Sequence, residues 1–549
     1  MAATQTSLTA EDKAKYDRLT PESVAFLRSR YNKANRWVIA DLLRRSRYHF
    51  PNKTALVFGD RSLTYSELDD ECNRVANALL DLGLQKYDRV AILAHNTLHH
   101  VLTWFGTAKA GGVYLAINYL LRGQDISYSI NHSQAKIFIV EDVLYDLVKD
   151  VLDEMPTVKT WIWSNQGGGK PALPGFSDFD EWVRRYPADE PDTVLHIEDP
   201  VQMTYTSGTE SLPKGVIIGN QAFMAQYMGC IVDGRYDSDD INVNALPIYH
   251  CAQRDVFMNP IFWLGGTNVL MGPDLGMILK NIEAYRTTMF FAPPTVWIGL
   301  LRHPDFGKYD LSSLTKCYYG ASIMPVEILR EIIEKFPKAK IYNYYGQTEL
   351  APYHTILKAE DALTKLGSAG MAGLNMETRL EDDDGAEIID VNVPGEICGR
   401  GPHVMMLYFK DPEKTEAAMK GGWFHSGDLG VLDEDRYIAV VDRKKDMIKT
   451  GGENVATREV EETIYVDKRV QEVAVVGVFH PKWVEAVIAL VVPKAGQEIK
   501  EEEIAALCQK HLAPFKVPKK VLIVDALPKT PTGKILKREM RQTYDDLFR

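Results

Sequence analysis

The sequence predicts a large layered α/β domain followed by a small α+β domain, and three observations lead there. Short apolar runs of strand length alternate with helical patterns along most of the chain, the grain changes near residue 440, and a charged joint, DRKKD at 442–446, stands at the change. At 549 residues the chain is too long for one hydrophobic core, so two or more domains are expected.

Taken in order, residues 64–84 open with a T-x-x-E capping box, Thr64 and Glu67, and continue with Leu68, Cys72, Val75 and Leu79 on one face, which predicts a helix. Residues 90–94 and 136–140 predict strands, 143–154 a helix, and 159–163 another strand. Beyond the joint, which follows a strand at 437–441, come strands at 473–478 and 486–492, a helix at 501–511, a strand at 520–524 and a basic final helix from Ile535. The expected division is therefore 1–441, a joint at 442–446, and a small domain at 447–549.

Composition bounds the function. With 45% hydrophobic and 25% charged residues the chain reads as an ordinary soluble protein, and a formal net charge of -12 argues against general affinity for nucleic acid or acidic membranes. Anionic ligands must then be met by local basic clusters, at 436–455 and 529–541. Six dispersed cysteines show no metal-binding spacing and favour reduced thiols in a cytoplasmic protein. The first residues lack the apolar core of a signal peptide, and no apolar run reaches membrane-spanning length.

The stretch TSGTESLPKG, residues 206–215, lies between two apolar runs and is rich in hydroxyls and glycines. Backbone N–H groups in glycine-permitted turns, hydroxyl donors and Lys214 suit a phosphate. This is no Walker loop, because Lys214 precedes the last glycine and a strand follows. The run at 166–170, QGGGK, looks similar, but prolines follow it and a surface loop is expected.

With these segments placed, the chain resembles the adenylate-forming superfamily, most closely its medium- and long-chain fatty acyl-CoA synthetases. Five motifs appear in the family's order. The first is the loop just described, with Thr206, Ser207, Gly208, Thr209 and Lys214 on phosphate; Glu210 and Ser211 depart from the usual hydroxyl and glycine, which puts phosphate affinity in question. The second is YNYYGQTE at 342–349. Here the resemblance implies that Tyr345 stacks on adenine within Tyr345-Gly346-Gln347, that Thr348 contacts the α-phosphate, and that Glu349, with Thr206, binds Mg²⁺. Upstream, Gly320, Ala321 and Ser322 match the segment lining the adenine and carboxylate pockets. The third is GWFHSGDLG at 422–430, where Asp428 matches the aspartate that accepts the ribose hydroxyls, and His425 and Trp423 are expected to pack. In the fourth, DRKKDMIKTGGENV, Arg443 matches a ribose contact, Lys445 the pivot of a mobile small domain, and Lys449, Gly451 and Gly452 the thioesterification face. The fifth, PKTPTGK at 528–534, offers Lys534 as the adenylation lysine.

The resemblance implies a ligase that uses Mg²⁺, ATP and CoA. A carboxylic acid attacks the α-phosphate to give acyl-AMP and pyrophosphate, and CoA then displaces AMP. For the acyl pocket it implies Tyr249, His250, Arg254, Trp297 and Gly320, with Phe291, Pro293 and Thr295 nearby and His250 close to the acyl carboxylate. Arg254 stays open between facing a distal polar or carboxylate group, holding part of CoA, and sitting in a surface pair with Asp255. Loading of a carrier protein, a dicarboxylic or aryl substrate, a noncatalytic nucleotide-binding role and a homodimer also stay open.

Overall fold

The computed structural model describes residues 9–17, 20–206, 213–322, 324–451, 453–529 and 535–549. The chain packs as two compact units. One takes the chain up to Thr206, then Lys214–Glu377 and Arg400–Thr415; the other takes Thr378–Gly399 and Glu416 onward.

The first unit is layered α/β around two large sheets. In the eight-stranded sheet the order is Leu407–Tyr408, Lys214–Gly219, Pro200–Thr206, Val113–Ala116, Arg89–Leu93, Ile137–Glu141, Thr160–Ser164 and Ser177–Asp178; Lys214–Gly219 runs against the direction of all the others. The nine-stranded sheet carries, side by side and parallel, Met289–Phe291, Lys316–Gly320 and Lys340–Tyr345. Such sheets gather ligands beyond the carboxyl ends of their strands, and both sheets end there in the expected motifs. The helix Tyr65–Asp81 has the expected capping box: Thr64 Oγ1 accepts from the Glu67 N–H at 3.2 Å, and Glu67 accepts from the Thr64 N–H at 2.8 Å. It packs on Leu98–Ala110, a helix buried along its whole length.

The expected helix at 143–154 is replaced by two 3₁₀ stretches, Asp142–Leu147 and Lys149–Glu154, broken at Val148 (φ -127°). Asp142, which would cap such a helix, turns its carboxylate to the glycine-rich loop instead. The N–H groups of Gly167, Gly168 and Lys170 all donate to it, at 2.9–3.1 Å. The loop that resembles a phosphate grip is thus filled by an internal acid.

In the second unit, Glu377–Glu381, Gly395–Arg400, Phe424–Leu432 and Ile438–Arg443 belong to one five-stranded sheet. A second sheet is built on the long hairpin Val470–His480 and Val484–Pro493, flanked by the helices Thr457–Tyr465, Glu501–His511 and Lys537–Tyr544. Packing therefore groups 378–399 and 416–441 with the C-terminal part. The Asp442 carboxylate helps, accepting from Thr457 N–H and Oγ1 at 2.6 and 2.8 Å. Among the described residues no helix is long and apolar enough to cross a membrane.

Candidate active site

In the eight-stranded sheet, Thr206 ends one strand and Lys214 begins the next, directly opposite it in register. Ser207, Gly208 and Thr209, with Glu210 and Ser211, lie outside the described residues. Lys214 Nζ sits 4.3 Å from the ring centre of Tyr408, whose hydroxyl donates to Glu349 Oε1 at 2.9 Å. Sequence reasoning missed Tyr408, because MMLYFK reads only as an apolar run; pairing of Leu407–Tyr408 with Lys214–Gly219 brings it here.

In the nine-stranded sheet, Gly320 pairs with Tyr344, so Gly320-Ala321-Ser322 and Tyr345 to Glu349 emerge side by side. Both glycines are dictated by close approach. A Cβ on Gly320 would lie 2.4 Å from the Tyr344 carbonyl oxygen, and one on Gly346 would lie 1.9 Å from that of Pro352. Ala321 is held at φ +63°, a left-handed conformation unusual outside glycine and common at ligand sites. Gln347 Nε2 is buried with no hydrogen-bond partner among the described residues, an orphan donor suited to a ligand acceptor.

Tyr249 and His250 are carried by the turn before a π-helix, Ala252–Met258. Asn96 clamps that turn: its amide donates to the carbonyls of Leu246 and Met271, both at 2.8 Å, and its oxygen accepts from Ile248 N–H at 2.8 Å. This second missed residue ties the two sheets together. His250 is exposed, and its Nδ1 accepts from the Ala252 N–H at 3.3 Å, which leaves Nε2 as the protonated nitrogen of the neutral ring. Next to it, Cys251 Sγ lies 3.4 Å from Thr348 Oγ1, joining the His250 turn to the Thr348-Glu349 pair.

Arg254 does not face a ligand. It is fully buried, bidentate to Asp255 (Nε–Oδ1 3.0 Å, Nη2–Oδ2 2.8 Å), donates to Gln202 and to the Ile248 carbonyl, and lies against Trp104 and Tyr114. The partner is the expected Asp255, but the pair is buried in the core and not at the surface. Trp297 is also a core residue, its indole N–H donating to the Tyr318 carbonyl at 3.0 Å, and Phe291 stacks on Phe257 at 4.2 Å.

In the second unit, Asp428 and Arg443 oppose each other on neighbouring strands, with Arg443 Nε 3.6 Å from Asp428 Oδ1. Lys445 and Lys449 are exposed on the following segment. Gly451 takes φ +60° and donates to the Trp483 carbonyl at 2.7 Å. Gly452 and Lys534 lie outside the described residues. Trp423 packs under Arg379 at 4.3 Å, while His425 donates from Nε2 to the Lys420 carbonyl at 3.1 Å and brings Nδ1 to 3.4 Å from Glu396 Oε2.

Comparison with known proteins agrees with this geometry. A family model described as AMP-binding enzyme matches residues 43–409, and one described as AMP-binding enzyme C-terminal domain matches 459–534. The feruloyl-CoA synthase of an Amycolatopsis sp is 33% identical over 497 residues, covering 90% of this chain and 96% of that protein. The long-chain-fatty-acid–CoA ligase of Bacillus subtilis (strain 168) is 32% identical over 531 residues, covering 91% and 94%. The crystal structure of the anthranilate CoA ligase AuaEII with anthranoyl-AMP matches with a TM-score of 0.85 at 26% identity, over 92% of this chain and 97% of that one.

The two matching family models, and the ATP-bound and acyl-adenylate-bound structures to which the chain is similar over nearly its whole length, define an ATP-using, adenylate-forming enzyme. The chain belongs to the AMP-binding enzyme family, in which it is an acyl-CoA synthetase, an AMP-forming acid–thiol ligase.

Proposed function

We propose that this ligase activates a medium- or long-chain monocarboxylic fatty acid and that Glu349, with Thr206, holds the Mg²⁺ of bound ATP. In the first step a carboxylate oxygen of the acid bonds to the α-phosphorus and the bond to the bridging oxygen breaks, releasing pyrophosphate. In the second the thiolate of CoA adds to the acyl carbonyl and AMP leaves. No protein nucleophile is needed, so the residues work by positioning and charge neutralisation.

The observation that carries this reading is the convergence on Glu349. One of its carboxylate oxygens accepts from Tyr408, and the other has no protein partner among the described residues. A single available carboxylate oxygen beside a threonine suits a hard cation that keeps most of its waters. When bound, Mg²⁺ offsets phosphate charge. Thr348 serves the α-phosphate, Tyr345 the adenine, Asp428 and Arg443 the ribose, and the Nε2 proton of His250 the acid's carboxylate. Lys534 supplies the cation between two mutually repelling anions, a contact of roughly 4 kcal/mol at about 4 Å and an effective dielectric near 20 before desolvation. Residues 442–446 act as the pivot, with Lys449, Gly451 and Gly452 serving the thioester step.

Arg254, buried and paired with Asp255, is not available to a distal carboxylate, which supports a monocarboxylic acid over a dicarboxylic one. A second reading, an aryl acid, draws support from the likeness to a feruloyl-CoA synthase and to an anthranilate CoA ligase. Six free, buried cysteines support a reducing, cytoplasmic setting.

A panel of C2 to C18, aryl and dicarboxylic acids, scored for AMP formation with and without CoA, tests the substrate. Highest turnover is expected on C8 to C18 acids, with AMP release dependent on CoA. Turnover confined to ferulate-like or anthranilate-like acids would replace the fatty-acid reading with the aryl one.

A further inference from the structure

We infer that Tyr408 is a positioning residue that sets the metal-binding carboxylate and the phosphate-loop lysine together; this rests on the reading of Glu349 as the metal ligand. The backbone around Tyr408 is fixed on both sides. Met406 N–H donates to the Ile217 carbonyl at 2.8 Å, Phe409 N–H to the Gly215 carbonyl at 2.7 Å, and Tyr408 N–H to Thr415 Oγ1 at 3.0 Å. From this short strand two groups grip Glu349. Met405 N–H donates to its carbonyl at 2.7 Å and the Tyr408 hydroxyl to its carboxylate at 2.9 Å. The ring is buried, and Lys214 Nζ lies 4.3 Å from its centre.

The chemistry of the two contacts is linked. The phenol O–H is the donor here, because a carboxylate oxygen can only accept. Donation to one carboxylate oxygen stops free rotation about a broad terminal torsion and leaves the other oxygen for a cation. The ring that carries this hydroxyl also offers its face to the Lys214 ammonium. Lys214 is thereby seated at the start of its strand, directly opposite Thr206.

The experiment is calorimetric titration of the full-length protein with ATP, in Mg²⁺ and separately in EDTA, with no acid present. Tyr408→Phe keeps the ring and removes the hydroxyl. It is expected to weaken Mg-ATP binding about 10-fold, the lower end for loss of a group that orients a metal ligand, and to leave metal-free ATP binding unchanged. Tyr408→Leu removes the lysine's seat as well and is expected to weaken both. Glu349→Gln is expected to reduce Mg-ATP binding to the metal-free level. If Glu349→Gln binds Mg-ATP like the parent, the metal-ligand reading fails and takes the inference with it. If Glu349→Gln loses the Mg²⁺ effect while Tyr408→Phe keeps it, the ligand stands and the role of Tyr408 is overturned. Equal loss of metal-free binding in Tyr408→Phe, or identical behaviour of the Phe and Leu variants, overturns it too.

Discussion

Arg254 sits where burial is most costly for a charge, and it is accommodated because nearly every donor it has is used. Asp255 takes two of its N–H groups, Gln202 and the Ile248 carbonyl take others, and aromatic faces of Trp104 and Tyr114 close around it. Removing one partner of such a pair strands the other. Arg254→Leu is expected to destabilise the protein by about 3–5 kcal/mol, whereas Arg254→Leu with Asp255→Leu should recover most of that, since neither charge is left alone. Urea unfolding of the two variants is the measurement; equal destabilisation by both would mean that packing, not charge, holds the site. The sequence offered three roles for Arg254 and could not choose. The choice is made by Gln202 and Tyr114, which are 52 and 140 residues distant in sequence and meet it only through the sheet. By contrast, the placing of Tyr345, Thr348 and Glu349 together at one strand end was legible, because a motif keeps its spacing wherever the chain places it.

Among elements, those written in local chemistry were legible and those decided by a distant partner were not. The capping box at Thr64 and the apolar stripe behind it define the helix Tyr65–Asp81 within one stretch of chain. The segment 142–154 shows the opposite. Its pattern suits a helix, but the capping carboxylate of Asp142 is taken by N–H groups 25 to 28 residues on, so the first turn winds as 3₁₀. This also explains why QGGGK looks like an anion site: it is one, with the anion supplied by the protein. Asp142→Ala is expected to cost about 3 kcal/mol, in line with loss of charge-assisted hydrogen bonds to buried groups, and to leave kcat and KM for ATP unchanged. A raised KM for ATP would instead connect this loop to the nucleotide.

At the scale of the whole molecule, buried imidazoles link stability to pH. His100 donates or accepts only within the core, against the Tyr114 hydroxyl and the His95 carbonyl, with Arg254 nearby; burial, and then Arg254, push its pKa down to about 3. Burial pushes His354 down to about 3 as well, with His403 adding to the shift. Burial lowers His99 and His403 in the same direction. In the unfolded chain each of these would titrate near 6.5. Above that pH both states hold the rings neutral and nothing is lost. Between about 6.5 and 3 the unfolded chain binds protons that the native protein refuses, so stability must fall as pH falls, by up to about 1.4 kcal/mol per pH unit for each such histidine. Paired carboxylates add the same sign only at lower pH, which makes the interval from pH 7 to 5 diagnostic of histidine. The expected result is a urea midpoint that declines steadily from pH 7 to 5 and a visibly shallower decline in His100→Gln, which keeps a polar side chain but removes the titrating ring. A midpoint flat across that interval would show instead that the native core admits the protonated rings.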